Sequence, residues 1–295
     1  MYVAARQVRQ YDLRRGDRIT GVSRPAARSE RNPALLRLDT LNGEPPPDGP
    51  DRPVFERLSA VLPTDALPLA DGSGALAQID ACAPLGMGSR GLLTSAGTGS
   101  ASPLIAAIAA AVSERHDVHL IVLLIAERPE DVTDLTRSLQ TSGEVLASTF
   151  DRPADEHLAV AELTLERTKR MAETGADVVV LFDGLTRLAR AYAASGNGRN
   201  QPSDAAAVAV GSALRFFGGA RNLEQAGSVT MLATARTGTG APADDLLITR
   251  LREAATLEVA LADSPPDAAE LESGKLTLNT DSSFSLGEHN PAKPR

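Results

Sequence analysis

Residues 119–127 read HLIVLLIAE, in which seven consecutive positions, Leu120 to Ala126, are apolar before a carboxylate ends the run. An amphipathic helix would interrupt such a run with polar residues every three or four positions, so it fits a strand covered on both faces. The same kind of run recurs in both directions: GLLTS (91–95) upstream, then GEVLASTF (143–150), VVVLFDG (178–184) and SVTMLATAR (228–236) downstream. Helical periodicity separates them, over Pro103–Glu114, Pro129–Gln140, Ala154–Glu173 and a further helix through Phe217. Doubly apolar strands alternating with helices predict an α/β fold, a mostly parallel sheet with helices on both faces. After Arg250, ATLEVALA and KLTLNTDSSFSLG are expected to form antiparallel strands, and GEHNPAKPR a frayed tail.

The chain has 295 residues, about two domains at ~150 residues each, and 42% apolar with 23% charged residues is a globular composition. With three Tyr, six Phe and no Trp, base-stacking surfaces must be few. The single cysteine, Cys82, excludes an internal disulfide framework and a Cys-based zinc site and points to a reducing compartment. No stretch reaches ~18 apolar residues and the start MYVAARQVRQ is unlike a signal peptide, so a cytoplasmic protein without a membrane span is expected. The net charge of -8 conceals a gradient. Residues 1–37 hold nine arginines against three acids, whereas residues 241–295 hold five cations against ten acids. A basic head attracts phosphates; an equally good reading is a solvated arginine-rich face. Asn42–Pro53 (NGEPPPDGPDRP) is too rich in Pro and Gly for an element interior and reads as a linker, preceded by a small β-rich module containing RITGVSRP and ALLRLDTL.

Ligands of open parallel sheets bind at the carboxyl ends of the strands. The loop after GLLTS is SAGTGSASP (95–103), a Gly-rich turn of the kind that cradles phosphate at a helix N-terminus. A nucleotide-binding loop GxxxxGK[ST] requires a lysine beside its hydroxyl, and here those positions are Ser100, Ala101 and Ser102. The hydroxyl is kept and the charge is not. The next two loops supply Glu127 with Arg128, and Asp183, the place of a magnesium-orienting carboxylate. The alternative is that Glu127 and Asp183 only cap helices, worth ~1 kcal/mol each. His116, His119, His157 and His289 have no metal-ligand spacing and read as satisfied or solvent-facing.

Long phrases in consistent order, DLRRGDRITGVSRP, VLLIAERPEDVTDLTR, GEVLASTFDRPADEH, LFDGLTRLARAY, RFFGGARN and LATARTGTG, resemble the Rho family of transcription termination factors from Tyr2 to about Leu261. The resemblance implies a truncated, partial OB-like RNA-binding module at 1–41, the linker at 42–53, a connector at 54–90, a RecA-like P-loop ATPase domain at 91–262 and a degenerate C-terminal hairpin and tail at 263–295. It also implies a hexameric RNA-dependent ATPase and helicase with nucleotide between neighbouring subunits. Carried over by motif, Glu127 is the water-activating acid, while Asp183 and Ser102 hold magnesium. Gly97, Thr98, Gly99, Ser100, Ala101, Ser102, Arg128 and Arg187 surround ATP, and Arg14, Arg18, Arg24 and Arg199 face RNA.

The departures fall on working positions. Ala101 replaces the phosphate lysine and Ala126 replaces an acid. The central RNA loop reads RNQPSD (199–204), Pro242 replaces the second RNA-loop lysine, and Asp263 stands where an arginine serves the neighbour's site. Asn32 and Pro33 occupy aromatic positions of the barrel. These losses together predict a pseudoenzyme: ATP with magnesium bound weakly or not at all, RNA bound weakly and salt-sensitively, and function through a homo-oligomer or a mixed ring with authentic Rho. The alternatives are an active RNA-dependent ATPase with an unusual cradle, in which Arg128, Arg187, Arg199 or Arg236 replaces the lysine's charge, and a nucleotide-binding module without hydrolysis.

Overall fold

A computed structural model describes residues 1–28, 31–47, 52–63, 65–70, 74–96, 101–115, 117–139, 143–195, 202–261, 265–274, 276 and 283–284. The N-terminal module contains α1 (Ala5–Gln10), β1 (Ile19–Arg24) and β2 (Ala34–Leu41). There follow a short 3-10 turn (Phe55–Arg57), β3 (Ala60–Val61), α2 (Ala75–Cys82), β4 (Arg90–Ser95), α3 (Ser102–Arg115), β5 (His119–Glu127), α4 (Pro129–Ser138) and β6 (Glu144–Thr149). The chain continues through α5 (Ala154–Glu173), β7 (Val178–Asp183), α6 (Leu185–Ser195), α7 (Pro202–Phe217), β8 (Arg221–Leu223) and β9 (Ser228–Arg236), then α8 (Pro242–Ala254), β10 (Leu257–Ala260), α9 (Ala268–Glu272) and β11 (Ser283–Phe284).

Six strands pair in parallel in the order β10-β4-β9-β7-β5-β6, with β11 antiparallel on one edge and β8 and β3 attached antiparallel beside β9. The run at 119–127 is covered on both faces, as its lack of alternation predicts. Ile121, Leu123 and Ile125 enter one core with Phe182, Phe216 and Leu185; Leu120, Val122 and Leu124 enter the other with Leu104, Ile105 and Ile108. Burying about ten such side chains, at ~1.5–3 kcal/mol each, anchors the middle of the sheet. The connector contributes to the second core through Leu67, Leu69, Ile79 and Leu85, and Asp80 accepts the N–H groups of Leu69 and Ala70 at 2.9–3.0 Å.

Two expectations change in detail. The helix through Phe217 is two helices, α6 and α7. ATLEVALA does pair antiparallel with Ser283–Phe284, but its main attachment is parallel to β4, so it extends the sheet rather than forming a separate hairpin. The physical reason is its composition: Leu257 and Val259 are apolar and packed in the second core, which rewards burial within the sheet.

The module is a bulged antiparallel pair, β1 with β2, over a small core of Leu35, Leu38 and Leu41. It lies directly on α5. Gly16 has φ +85° and approaches so closely that a Cβ there would lie 2.3 Å from the Glu166 carbonyl carbon. Asp17 is paired with Arg52 at 2.7 Å, Arg14 lies 3.6 Å from Glu173 and also binds Asp12, and Glu173 accepts the Phe55 N–H at 2.7 Å. The stretch read as a linker is therefore pinned near both ends, because Asn42 caps the Arg18 N–H and binds Asp17 while Arg52 joins the same carboxylate.

Burial opposes the charge on Asp17, but hydrogen bonds from Arg52, the Arg14 N–H and Asn42 outweigh it and hold its pKa below the ordinary 3.8. A depressed carboxylate contributes stability above its unfolded pKa and loses it as pH falls towards the folded one. Removing one partner of a largely buried pair leaves the other uncompensated. Asp17→Ala should therefore cost roughly 3 kcal/mol and speed hydrogen exchange in the module at neutral pH. The difference from wild type should shrink below pH ~4, as thermal melts across pH would show.

Candidate nucleotide site and RNA face

The carboxyl ends of β4, β5, β7 and β9 converge, and a cleft opens there between Ser95, Ala101, Asp183, Thr186, Arg187 and Arg236. β5 ends irregularly: Ala126 has φ +52° and the register against β6 slips between Ile125 and Glu127. That conformation costs ~1–2 kcal/mol for an alanine, whereas Asp or Asn tolerates it through local hydrogen bonds. The bulge turns Glu127 inwards, where it is only 5% exposed.

Arg187 is the centre of the site. Its Nε donates to the Ile125 carbonyl at 2.6 Å, and its Nη2 pairs with Glu127 and with Asp183, the latter at 2.7 Å. Asp183 Oδ1 also accepts the Thr234 hydroxyl at 2.5 Å. Its other oxygen, Oδ2, is buried and has no hydrogen-bond partner among the described residues. Burial pushes the Glu127 carboxyl up to about 7; the neighbouring Asp183 charge adds to this and Arg187 opposes it. Thr186 accepts the Arg236 N–H at 2.9 Å, which fixes the wall formed by β9.

An orphaned carboxylate oxygen beside a hydroxyl-bearing helix start suits a hard cation. Among the described residues no group of three or more His, Cys, Asp or Glu side chains forms a self-sufficient metal site. A cation held by Asp183 and Ser102 would need further oxygens from its ligand, the way magnesium is held with phosphates.

The sequence-derived residues distribute unevenly. Glu127, Asp183, Arg187 and Ala101 come together, and Ser102 opens α3 next to Ala101. Arg128 is exposed at the start of α4. Gly97, Thr98, Gly99, Ser100, Arg199 and Asp263 lie outside the described residues. Thr234, Thr186 and Ser95 escaped the sequence reading, although each lies at or just beyond a strand's carboxyl end. Of the histidines, His119 is exposed and His157 is buried with Nδ1 2.7 Å from Ser148 Oγ, while His116 and His289 lie outside the described residues.

On the module, Arg14 belongs to the contact with α5 rather than to an RNA face, since Asp12, Glu173 and the Pro53 carbonyl engage it. Arg18 is exposed but opens towards α5, and Arg24 is half-buried at the end of β1. Tyr2 is 60% exposed and tied to the strand that follows Asn32, its N–H donating to Pro33 O and its carbonyl accepting from Leu35. Its place next to Asn32 and Pro33 depends on a bridge between residues 2 and 34, a pairing without local sequence signal.

Comparison with known proteins fits this geometry. Residues 1–47 match the family described as Rho termination factor, RNA-binding domain, and residues 75–262 match the ATP synthase alpha/beta family, nucleotide-binding domain. The transcription termination factor Rho of Streptomyces lividans is 44% identical over 269 residues, 88% of this chain and 38% of that protein. The one from Pseudomonas fluorescens biotype C is 40% identical over 88% of this chain and 64% of its own length. The chain belongs to the Rho termination factor family. It spans about two fifths to two thirds of the length of these curated relatives. The fold is also that of an ATP synthase subunit, NeqB, of Nanoarcheaum equitans, with TM-score 0.63 at 16% identity over 84% of this chain and 63% of that one. A type III secretion ATPase gives TM-score 0.59 at 19% identity over 90% of this chain and 71% of that one. Among the described residues no helix of this Rho-family chain is long and apolar enough to cross a membrane.

A carboxyl whose pKa is raised on folding stabilises the fold below its unfolded pKa and loses that contribution as pH rises through the folded value. Between the ordinary 4.5 and about 7 the loss for Glu127 amounts to about 3 kcal/mol. Glu127→Gln should flatten the pH dependence of the melting temperature across that interval and leave the variant the more stable form at pH 8; an unchanged slope would show that Glu127 ionises freely.

Proposed function

We propose that this chain is a Rho-family pseudoenzyme that modulates transcription termination by associating with authentic Rho or with copies of itself, rather than by hydrolysing ATP efficiently. One observation carries the reading: Ala101 lines the cleft where the phosphate lysine belongs, and the arginine at the cleft's centre, Arg187, is already engaged by Glu127 and Asp183. A triphosphate entering this site meets two carboxylates and finds little free positive charge. A charge-assisted contact is worth ~1.5–3 kcal/mol, so loss of the lysine weakens ATP-magnesium binding at least about tenfold. Asp263 in place of a trans-acting arginine points the same way, because such an arginine contributes roughly 10³–10⁵ in rate.

The second reading, an active RNA-dependent ATPase with an altered cradle, draws support from Arg236 on the cleft wall, the orphaned Asp183 oxygen and the raised pKa of Glu127, which suits a general base. A nucleotide-binding module without hydrolysis lies between the two. The oligomeric mass of the chain alone and mixed with its host's Rho separates them: a mixed assembly without turnover supports the pseudoenzyme, and a self-assembled ring with RNA-stimulated turnover supports the enzyme.

For RNA, the exposed Arg6, Arg9, Arg28 and Arg31 supply phosphate contacts, and Tyr2 supplies one ring. Binding should be weak and fall steeply between low and physiological salt as counterions are released. Tyr2→Ala should remove roughly 1–3 kcal/mol of oligonucleotide affinity at fixed salt, the value of one base stacked on one ring, with the salt slope unchanged. Fluorescence anisotropy at two salt concentrations checks both statements.

The phosphate loop offers a direct gain-of-function test. Ser100→Gly with Ala101→Lys should raise ATP affinity at least about tenfold by calorimetry, because the helix start, Ser102 and Asp183 accommodate phosphate and magnesium. Turnover should remain very low until Asp263→Arg is added in an assembled ring. Vigorous RNA-stimulated hydrolysis by the double variant alone would refute the argument from Asp263, and no gain in affinity would refute the loop assignment.

A further inference from the structure

A second cleft lies at the other end of the sheet, where the module meets the α/β domain. It holds about 420 Å³, within the ~300–1,000 Å³ typical of small-ligand sites. Arg18, Thr20 and Asn42 line it from the module, and His119, Arg167 and Thr174 from the body. His119 starts β5 whereas Glu127 ends it, so the nine-residue strand separates the two clefts by roughly 26 Å at ~3.3 Å per step.

Its charge is unusual for a chain of net charge -8: two arginines and a histidine line it, and no carboxylate does. Of the acids next to lining residues in sequence, Asp17 is engaged by Arg52 at 2.7 Å, Glu166 by Lys169 at 2.8 Å and Glu173 by Arg170 at 2.9 Å, and Asp177 accepts the Ser228 hydroxyl at 2.7 Å, while Glu44 beside Gly43 is exposed. Glu144 holds one Nη of Arg167 at 2.8 Å, and that guanidinium has further donors. The end of α5 borders the cleft, and N–H groups of Thr174, Gly175 and Ala176 satisfy the carbonyls of Met171 and Ala172, which blunts the negative end of the helix. The close approach of Gly16 to α5 and the Asp17–Arg52 pair hold the walls in place without a ligand.

We propose that this cleft binds a phosphate group, with Arg18 of the module and Arg167 of α5 as its charged walls, separately from the nucleotide site. Because the two arginines sit on different units, an occupied cleft bridges the module to the α/β domain and stabilises their docking. The phosphate belongs either to a free mononucleotide or to the backbone of RNA bound by the module; the chemistry recognised is the same.

Hydrogen exchange on the full chain at physiological salt, with AMP in one arm and a hexauridylate in the other, distinguishes the sources by location as well as affinity. Slowed exchange over residues 16–20, 42–43 and 167–176 with AMP identifies a mononucleotide site, and the same protection with RNA alone identifies the RNA backbone. Arg18→Gln and Arg167→Gln should each weaken the effect at least fivefold, whereas Arg167→Lys, which keeps the charge, should retain most of it. Melting temperatures near wild type would show that the variants remain folded; if Arg167→Gln unfolds, Arg18→Gln and Arg167→Lys still decide the matter. Protection by neither probe, or protection indifferent to both glutamine variants, overturns the proposal. Protection at the carboxyl-end cleft reports the nucleotide site independently, so either site can fail without the other.

Discussion

The guanidinium of Arg187 joins the ends of two strands and, through Asp183, a third. It holds the Ile125 carbonyl and Glu127 on β5 and Asp183 on β7, while Asp183 reaches Thr234 on β9. Two buried carboxylates this close would repel each other strongly in a low-dielectric interior, and the arginine between them makes the arrangement tolerable. The same contact sets the character of the cleft. A cation engaged by two acids has less of its charge to offer a third anion. Arg236 is the other cation that lines the cleft among the described residues, and its backbone is fixed by Thr186.

The chain is 40–44% identical to the Rho proteins of Streptomyces lividans and Pseudomonas fluorescens biotype C over 88% of its length. At Gly16 the positive φ and the distance to the α5 backbone leave no room for a side chain, so this residue serves docking whatever happens at the nucleotide site. Ala126 is the converse case. Its positive φ is costly for an alanine, and it sits at the bulge that turns Glu127 towards Arg187.

The molecule thus has two ends with different electrostatics. The carboxyl ends of the strands gather paired acids and arginines into a nearly self-neutralised cleft. The amino end of β5, together with the module, presents arginines without lining acids. Helix dipoles add little to the second, since the α5 terminus there is capped by its own turn. A ligand of phosphate chemistry therefore meets opposite conditions at the two ends, and the module's own position is part of the second one.

The strand runs at 91–95, 119–127, 178–184 and 228–236 were legible because burial on both faces leaves short, mainly apolar runs without helical spacing, and α5 was legible over Ala154–Glu173 because one helix face packs at a regular period. Glu127 and Asp183 were singled out because strand ends in a parallel sheet are where ligands bind, and the structure brings both against Arg187 at a cleft that Ala101 also lines. Tertiary structure alone decided the rest. The division of the helix before Phe217, the parallel attachment of Leu257–Ala260 to β4, the meeting of Tyr2 with Pro33 and the capture of Arg14 by the body depend on contacts across tens of residues or more, which leave no local pattern. The arginines of residues 1–37 looked equivalent in sequence, since composition records charge but not partner. Folding separates them: Arg14 is tied into the contact with α5, while Arg18 opens onto a cleft whose far wall, Arg167, is 149 positions away.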